Sequence, residues 1–169
     1  MNLDAFNYFL PKEKIAQKPA KVRSNSKLLV LDKTSSLMKD DRFFNLCEYL
    51  TSKDLLIFND TKVIPARLFG SKETGGKVEI FFERMISDYN FLGLIKNYSN
   101  AKNSDEIIIN EDVSLSIIHK EKDLYLLNSK NITVNTLLNK YGNIPLPPYI
   151  SRNPTQSDED RYQTIFSNH

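Results

Sequence analysis

At 169 residues, with 40% hydrophobic and 26% charged residues, the chain has the balance of a globular protein of one domain or two small ones, which excludes wholesale disorder. A net charge of +2 excludes a uniformly basic nucleic-acid binder. One cysteine, Cys47, excludes an internal disulfide framework; with His119 and His169 it is too few for a structural zinc site, and no apolar run nears the roughly 18 residues that cross a bilayer.

The N-terminus, MNLDAFNYFLP, has no charged-then-apolar signal design, so the expectation is a soluble cytoplasmic protein with no membrane partner. Residues 11–27 carry six basic residues, one acidic residue and two prolines, which reads as a basic loop. Leu28 to Leu31 is a short apolar run, expected to be a strand buried on both faces. Residues 40–50 place Phe43, Cys47 and Leu50 on one helical stripe, with Asp40 or Asp41 as cap. Leu55 to Phe58 is a second apolar run. Strand, helix and strand within about thirty residues predict a parallel crossover unit.

The texture changes after Arg67. Gly70, Gly75 and Gly76 are three of the five glycines in the chain. They nearly match a phosphate loop, but Lys77 comes one place late and Val78 stands where a Ser or Thr would hold magnesium. A glycine turn into a strand is the better reading. Short β segments follow at 78–84, 91–95, 105–109, 113–119 and 124–127, the pattern of a small barrel or sandwich. Alternation puts Glu79 and Glu83 on one face about 13 Å apart, too far for a coupled carboxylate pair. Ile132 to Tyr141 reads as a helix stopped by Gly142. The proline run 145–148 forbids helix, and Ser157 with Asp160 reads as the cap of a last helix.

The segment Phe58 to Arg67, FNDTKVIPAR, runs from an apolar strand straight into polar side chains. The carboxyl end of a strand is where α/β folds place ligand sites, although Asn and Asp also make turns. The basic segment 11–27 suits a phosphate backbone or is simply solvated. Tyr89, Phe91 and Tyr98 beside Lys96 and Lys102 suit either a core or a stacking face, and so allow a non-catalytic RNA- or partner-binding β-barrel module.

Several of these segments, in this order, resemble the S-adenosylmethionine:tRNA ribosyltransferase-isomerase family of queuosine biosynthesis. They are Leu10-Pro11, Ile15 to Pro19, Arg23 with Ser26 to Leu29, Asp54 to Arg67, Gly75 to Ile80, Gly142 to Ile150, Arg152, and Asp160 to Thr164. The resemblance implies an α/β domain of TIM-barrel type at 1–66 and 146–169, interrupted by a Greek-key β-barrel at 67–145. It implies S-adenosylmethionine as co-substrate, tRNA as partner, no metal, and a monomeric full-length protein. The reaction moves the ribosyl group of S-adenosylmethionine onto 7-aminomethyl-7-deazaguanine at the wobble position, giving epoxyqueuosine and releasing adenine and methionine. Carried onto matching positions, Asn59, Asp60 and Thr61 become catalytic candidates. Arg23, Arg67, Lys18, Arg152 and Tyr149 become candidates for holding substrate or tRNA. Relatives are about twice as long, so the resemblance also implies an N-terminal portion that is inactive alone. It further implies that the barrel folds while 1–66 and 150–169 pack poorly.

Overall fold

A computed structural model describes residues 2–99, 101–152 and 154–167, which leaves His169 outside the described residues. It divides into two compact units, 1–59 with 147–153 and 60–146 with 154–169.

In the first unit, β1 (Lys27–Leu31) pairs antiparallel with β2 (Met38–Arg42), Leu29 lying opposite Asp40. The expected parallel crossover is therefore absent, and turn chemistry explains why. The Asp32 carboxylate accepts from the Thr34 amide (2.8 Å) and the Ser35 hydroxyl (2.5 Å), while the Asp32 amide donates to Leu37 O (3.0 Å). This Asx turn reverses the chain within six residues, which antiparallel strands allow and parallel strands do not. The expected helix over 40–50 is instead the end of β2 followed by a 3-10 segment, Phe43–Tyr49. Asp41 holds that segment to the hairpin: it accepts from Asn45 Nδ2 (2.7 Å), Tyr49 Oη and Lys39 Nζ. The Tyr49 bond foremost keeps the Asp41 carboxyl well below the usual carboxylate range. Leu55 to Phe58 forms no regular element. None of the described residues of this unit is buried; Leu29 and Leu31 of β1 are exposed rather than covered on both faces.

The second unit is a closed six-stranded antiparallel barrel. Its strands are β3 (Arg67–Lys72), β4 (Lys77–Met85), β5 (Asn90–Lys96), β6 (Glu106–Ile108), β7 (Ser114–Glu121) and β8 (Leu124–Asn128), in the order β3-β4-β5-β8-β7-β6. With β6 returning beside β3, the spatial order β6-β3-β4-β5 is a Greek key. Every second residue points inward. Leu68, Val78, Ile80, Phe91, Ile107, Leu115, Ile117, Tyr125 and Leu127 fill the interior, and closure leaves no sheet edge. The phosphate-loop look-alike is the β3–β4 turn: Gly75 sits at φ +86°, which only glycine adopts without strain, and Gly75 N donates to Lys72 O. β3 itself was not foreseen. A bulge in β4 between Phe82 and Arg84 leaves Glu83 as the extra residue, so the alternation expected to align Glu79 with Glu83 is broken.

Helix α1 (Val134–Tyr141) adds Val134, Leu137 and Leu138 to the same core, with the Thr133 side chain capping its start. Gly142 follows it where no side chain fits: a Cβ there would lie 2.1 Å from Pro65 O and 2.3 Å from Leu138 O. Helix α2 (Gln156–Tyr162) starts two residues earlier than expected. Its capping box is Thr155 with Asp158, not Ser157 with Asp160. The Asp158 carboxylate takes both the Thr155 amide and hydroxyl at 2.7 Å, bonds that offset part of the cost of burying it.

Candidate functional site

The chain from Asp60 to Ala66 has no regular structure, yet it is held at several points within the second unit. Gln163, just past α2, grips the backbone of Val63 from both sides: Nε2 donates to Val63 O (2.5 Å) and Oε1 accepts from Val63 N (2.8 Å). Ala66 O accepts from Phe82 N of β4 at 2.8 Å. Arg67 N donates to Asn143 O (3.1 Å) and Asn143 N donates to Arg67 O (2.7 Å), a two-bond bridge just after α1. Three segments far apart in the chain, 63–67, 143 and 163, thus converge. Asp60 and Thr61 lead into this braced stretch and are exposed.

Arg67 begins β3, and its Nε donates to the Glu79 carboxylate across the hairpin. Its guanidinium carbon stands 4.8 Å from the Phe69 ring centre and 5.7 Å from that of Phe81. Ion pair and stacking together fix a planar fork of donors on the barrel surface.

Lys18, Tyr149 and Arg152 lie in the first unit, where Gln17 gathers them. Gln17 Nε2 donates to Tyr149 O (3.2 Å), Gln17 Oε1 accepts from Ser151 N (2.7 Å), and Gln17 O accepts from Arg152 Nε (2.7 Å). Lys18 follows, exposed, and the Tyr149 ring is exposed as well. Arg23 opens a 3-10 turn, Arg23–Asn25, and its carbonyl accepts from the Ser26 amide and hydroxyl just before β1. The candidates therefore form separate groups: Asp60, Thr61 and Arg67 belong to the second unit, while Asn59, Arg23, Lys18, Tyr149 and Arg152 belong to the first.

Gln17, Gln163, Asn143 and Glu79 escaped the sequence reading as site residues, although each lies in a segment quoted for the resemblance. For Gln17 and Gln163 the available signal was chemical. A side-chain amide carries both a donor and acceptors, so it can satisfy a strand-like backbone where no strand is present.

Of the two readings open for Tyr89, Phe91 and Tyr98, the core reading holds for Phe91, which is fully buried in the barrel, so the three do not form one stacking face. Tyr98 lines an open surface cavity of about 360 Å³ with Lys72, Glu73, Thr74, Lys102, Asp105 and Glu106. Its hydroxyl donates to Asp105 (2.8 Å) and Lys72 Nζ lies 4.4 Å from its ring centre. Burial foremost, then Asp105, pushes the Tyr98 phenol up to about 12. His119 is exposed on β7. Among the described residues no group of three or more His, Cys, Asp or Glu is placed to hold a metal, and no helix is long and apolar enough to cross a membrane.

The profile of a family described as "Queuosine biosynthesis protein" matches residues 3–169. The chain belongs to that family. It is 40% identical over 168 residues to the S-adenosylmethionine:tRNA ribosyltransferase-isomerase of Nitrosospira multiformis, covering 99% of this chain and 47% of the relative. It is 44% identical over 164 residues to the protein of the same name from Coxiella burnetii, covering 96% and 48%. The crystal structure of the S-adenosylmethionine tRNA ribosyltransferase of Thermotoga maritima is 30% identical, with a TM-score of 0.42, over 80% of this chain and 48% of that one. This member of the family thus spans about half the length of the curated relatives it matches. The stretches that carry the family resemblance include all three segments that meet at Val63 and Arg67.

Proposed function

We propose that this chain takes part in the S-adenosylmethionine:tRNA ribosyltransferase-isomerase reaction, converting 7-aminomethyl-7-deazaguanine at the tRNA wobble position to epoxyqueuosine. The observation that carries this reading is the bracing of the Asp60–Arg67 stretch by Gln163 and Asn143. A strand-like segment fixed from two sides, with Asp60 and Thr61 at its exposed entry, has the preorganisation that a catalytic loop needs.

The sulfonium of S-adenosylmethionine acidifies the adjacent ribose carbon. A base removes that proton to give an ylide, and the sugar rearranges to an epoxide as adenine leaves, its departing nitrogen taking up a proton. The amine of the deazaguanine then attacks and methionine departs. In this reading Asp60 is the base or lies beside the sulfonium, and Asn59 and Thr61 hold the sugar or the base. Arg23, Lys18, Tyr149 and Arg152 hold tRNA or the methionine carboxylate. Arg67 does so from a preset orientation, since Glu79, Phe69 and Phe81 already fix its guanidinium.

The proposal extends to the domains: a barrel at 67–145 inserted into a TIM-barrel-like α/β domain that 1–66 and 146–169 begin. Cytoplasmic location and a monomeric whole protein complete it. The test supplies the 169-residue chain with the remaining half of the Coxiella burnetii relative and measures adenine release from S-adenosylmethionine on tRNA carrying the deazaguanine. Release that needs both parts is expected, and Asp60→Asn should lower it about 10²–10⁴-fold. Unchanged turnover in that variant removes Asp60 from acid–base chemistry. No release from any pairing of the two parts refutes the transferase reading.

A further inference from the structure

Strand β3 turns Leu68 inward, β4 turns Val78 and Ile80 inward and β5 turns Phe91 inward, so Arg67, Phe69, Glu79, Phe81, Leu94 and Lys96 face out. The register sets these in two rows: Arg67 opposite Phe81 opposite Leu94, and Phe69 opposite Glu79 opposite Lys96. The patch alternates rings and charges. Arg67 lies against Phe69 and Phe81, and Lys96 Nζ stands 4.6 Å from the Phe81 ring centre. Phe69 and Leu94 are 47% and 42% exposed. Three of the six side chains are charged, whereas the core of a protein–protein interface is depleted in charge.

From this arrangement we infer that the outer face of β3–β4–β5 is an RNA platform, on which unpaired nucleotides of the tRNA stack. The inference rests on the proposed tRNA substrate and adds the surface that meets it. Exposed Phe69 offers a π-face to a base, a contact that is tolerant of sequence. Arg67 and Lys96 flank the rings and supply positive charge for the phosphates of a stacked strand. Glu79 holds the guanidinium in place through Arg67 Nε, and a carboxylate has further lone pairs that accept from a base N–H. Rigid strands hold every group before RNA arrives, so little ordering is left to offset on binding.

The test measures binding of a fluorescent, unmodified tRNA transcript to the 169-residue chain across a salt series. Phe69→Ala should weaken binding about 5- to 150-fold, and Phe69→Trp should retain it. Lys96→Ala should lower the slope of log affinity against log salt by about 0.7–0.9. His119→Ala, on β7, should change neither. Both outward variants leave the interior intact, and their thermal melts should match the parent. Phe69→Leu separates stacking from mere apolar volume: parent-like binding by this variant overturns the inference. So does unchanged binding by Phe69→Ala and Lys96→Ala, or a parent chain that binds no tRNA. An apolar face that instead dimerises the chain would show as concentration-dependent sedimentation with unaltered tRNA affinity, and also overturns it. The transferase reading is judged separately by adenine release from the two-part enzyme.

Discussion

Two apolar runs of similar character meet opposite fates in this chain. Phe91 and Leu92 on β5 are buried, at 0% and 3% exposed, whereas Leu55 and Ile57 in the first unit are 84% and 87% exposed. The difference lies in what each run is set against. β5 has β4 on one side, β8 on the other and a closed interior behind it. Among its described residues the first unit has a two-stranded hairpin and no second sheet against which to bury its apolar side chains. Burial is thus a property of the partner surface as much as of the residue.

The comparison breaks most sharply on paired truncations. Phe91→Ala should destabilise the barrel by about 3–5 kcal/mol in denaturant titration, enough to unfold a marginal domain. Ile57→Ala should stay within about 0.5 kcal/mol, because little surface leaves the protein with it. An equal cost at both sites would mean that Ile57 is packed.

A smaller effect is expected at the amide clamps, one in each unit. Gln163→Ala removes two bonds to Val63 and Gln17→Ala removes two to Tyr149 and Ser151, at about 1 kcal/mol per bond. Hydrogen exchange at the Val63 and Ser151 amides should accelerate by roughly tenfold or more in the respective variants. Unaltered exchange at Val63 would show that the Asp60–Arg67 stretch is braced without Gln163.

The effect confined to the narrowest range of conditions is a pH dependence. The Tyr98 phenol titrates near 12 in the folded barrel, against 10.0 for the ordinary group. The folded state therefore holds a proton that the unfolded chain gives up first, and stability falls as pH rises between those values. Below pH 10 the contribution is complete. Tyr98→Phe should remove this alkaline loss from a denaturation series, and a curve of unaltered shape would place the titration elsewhere.

Legibility followed distance along the chain. Five of the six barrel strands and α1 were readable because alternation and helical stripes are local patterns. β3 was hidden: Arg67 to Lys72 has only Leu68 pointing into the core, and Gly70 is packed against β6. The β1–β2 hairpin was misread because Asp40 and Asp41 resemble a helix cap, and the same Asp41 instead gathers Lys39, Asn45 and Tyr49. The candidate site divides in the same way. Asp60, Thr61 and Arg67 stood out as polar side chains following an apolar run, while Gln163 and Asn143 acquired their roles only through contacts made 76 to 100 residues away.

The sequence by itself determined the family, through short motifs in a fixed order, and the positions of most strands and the glycine turn before β4, which rest on neighbouring residues. Tertiary structure decided that the six strands close into a Greek key, that Phe91 faces inward while Phe69 faces out, and that two glutamines hold distant segments together. Those outcomes depend on register and on which surfaces meet, and a one-residue change in pairing reverses every inward and outward side chain.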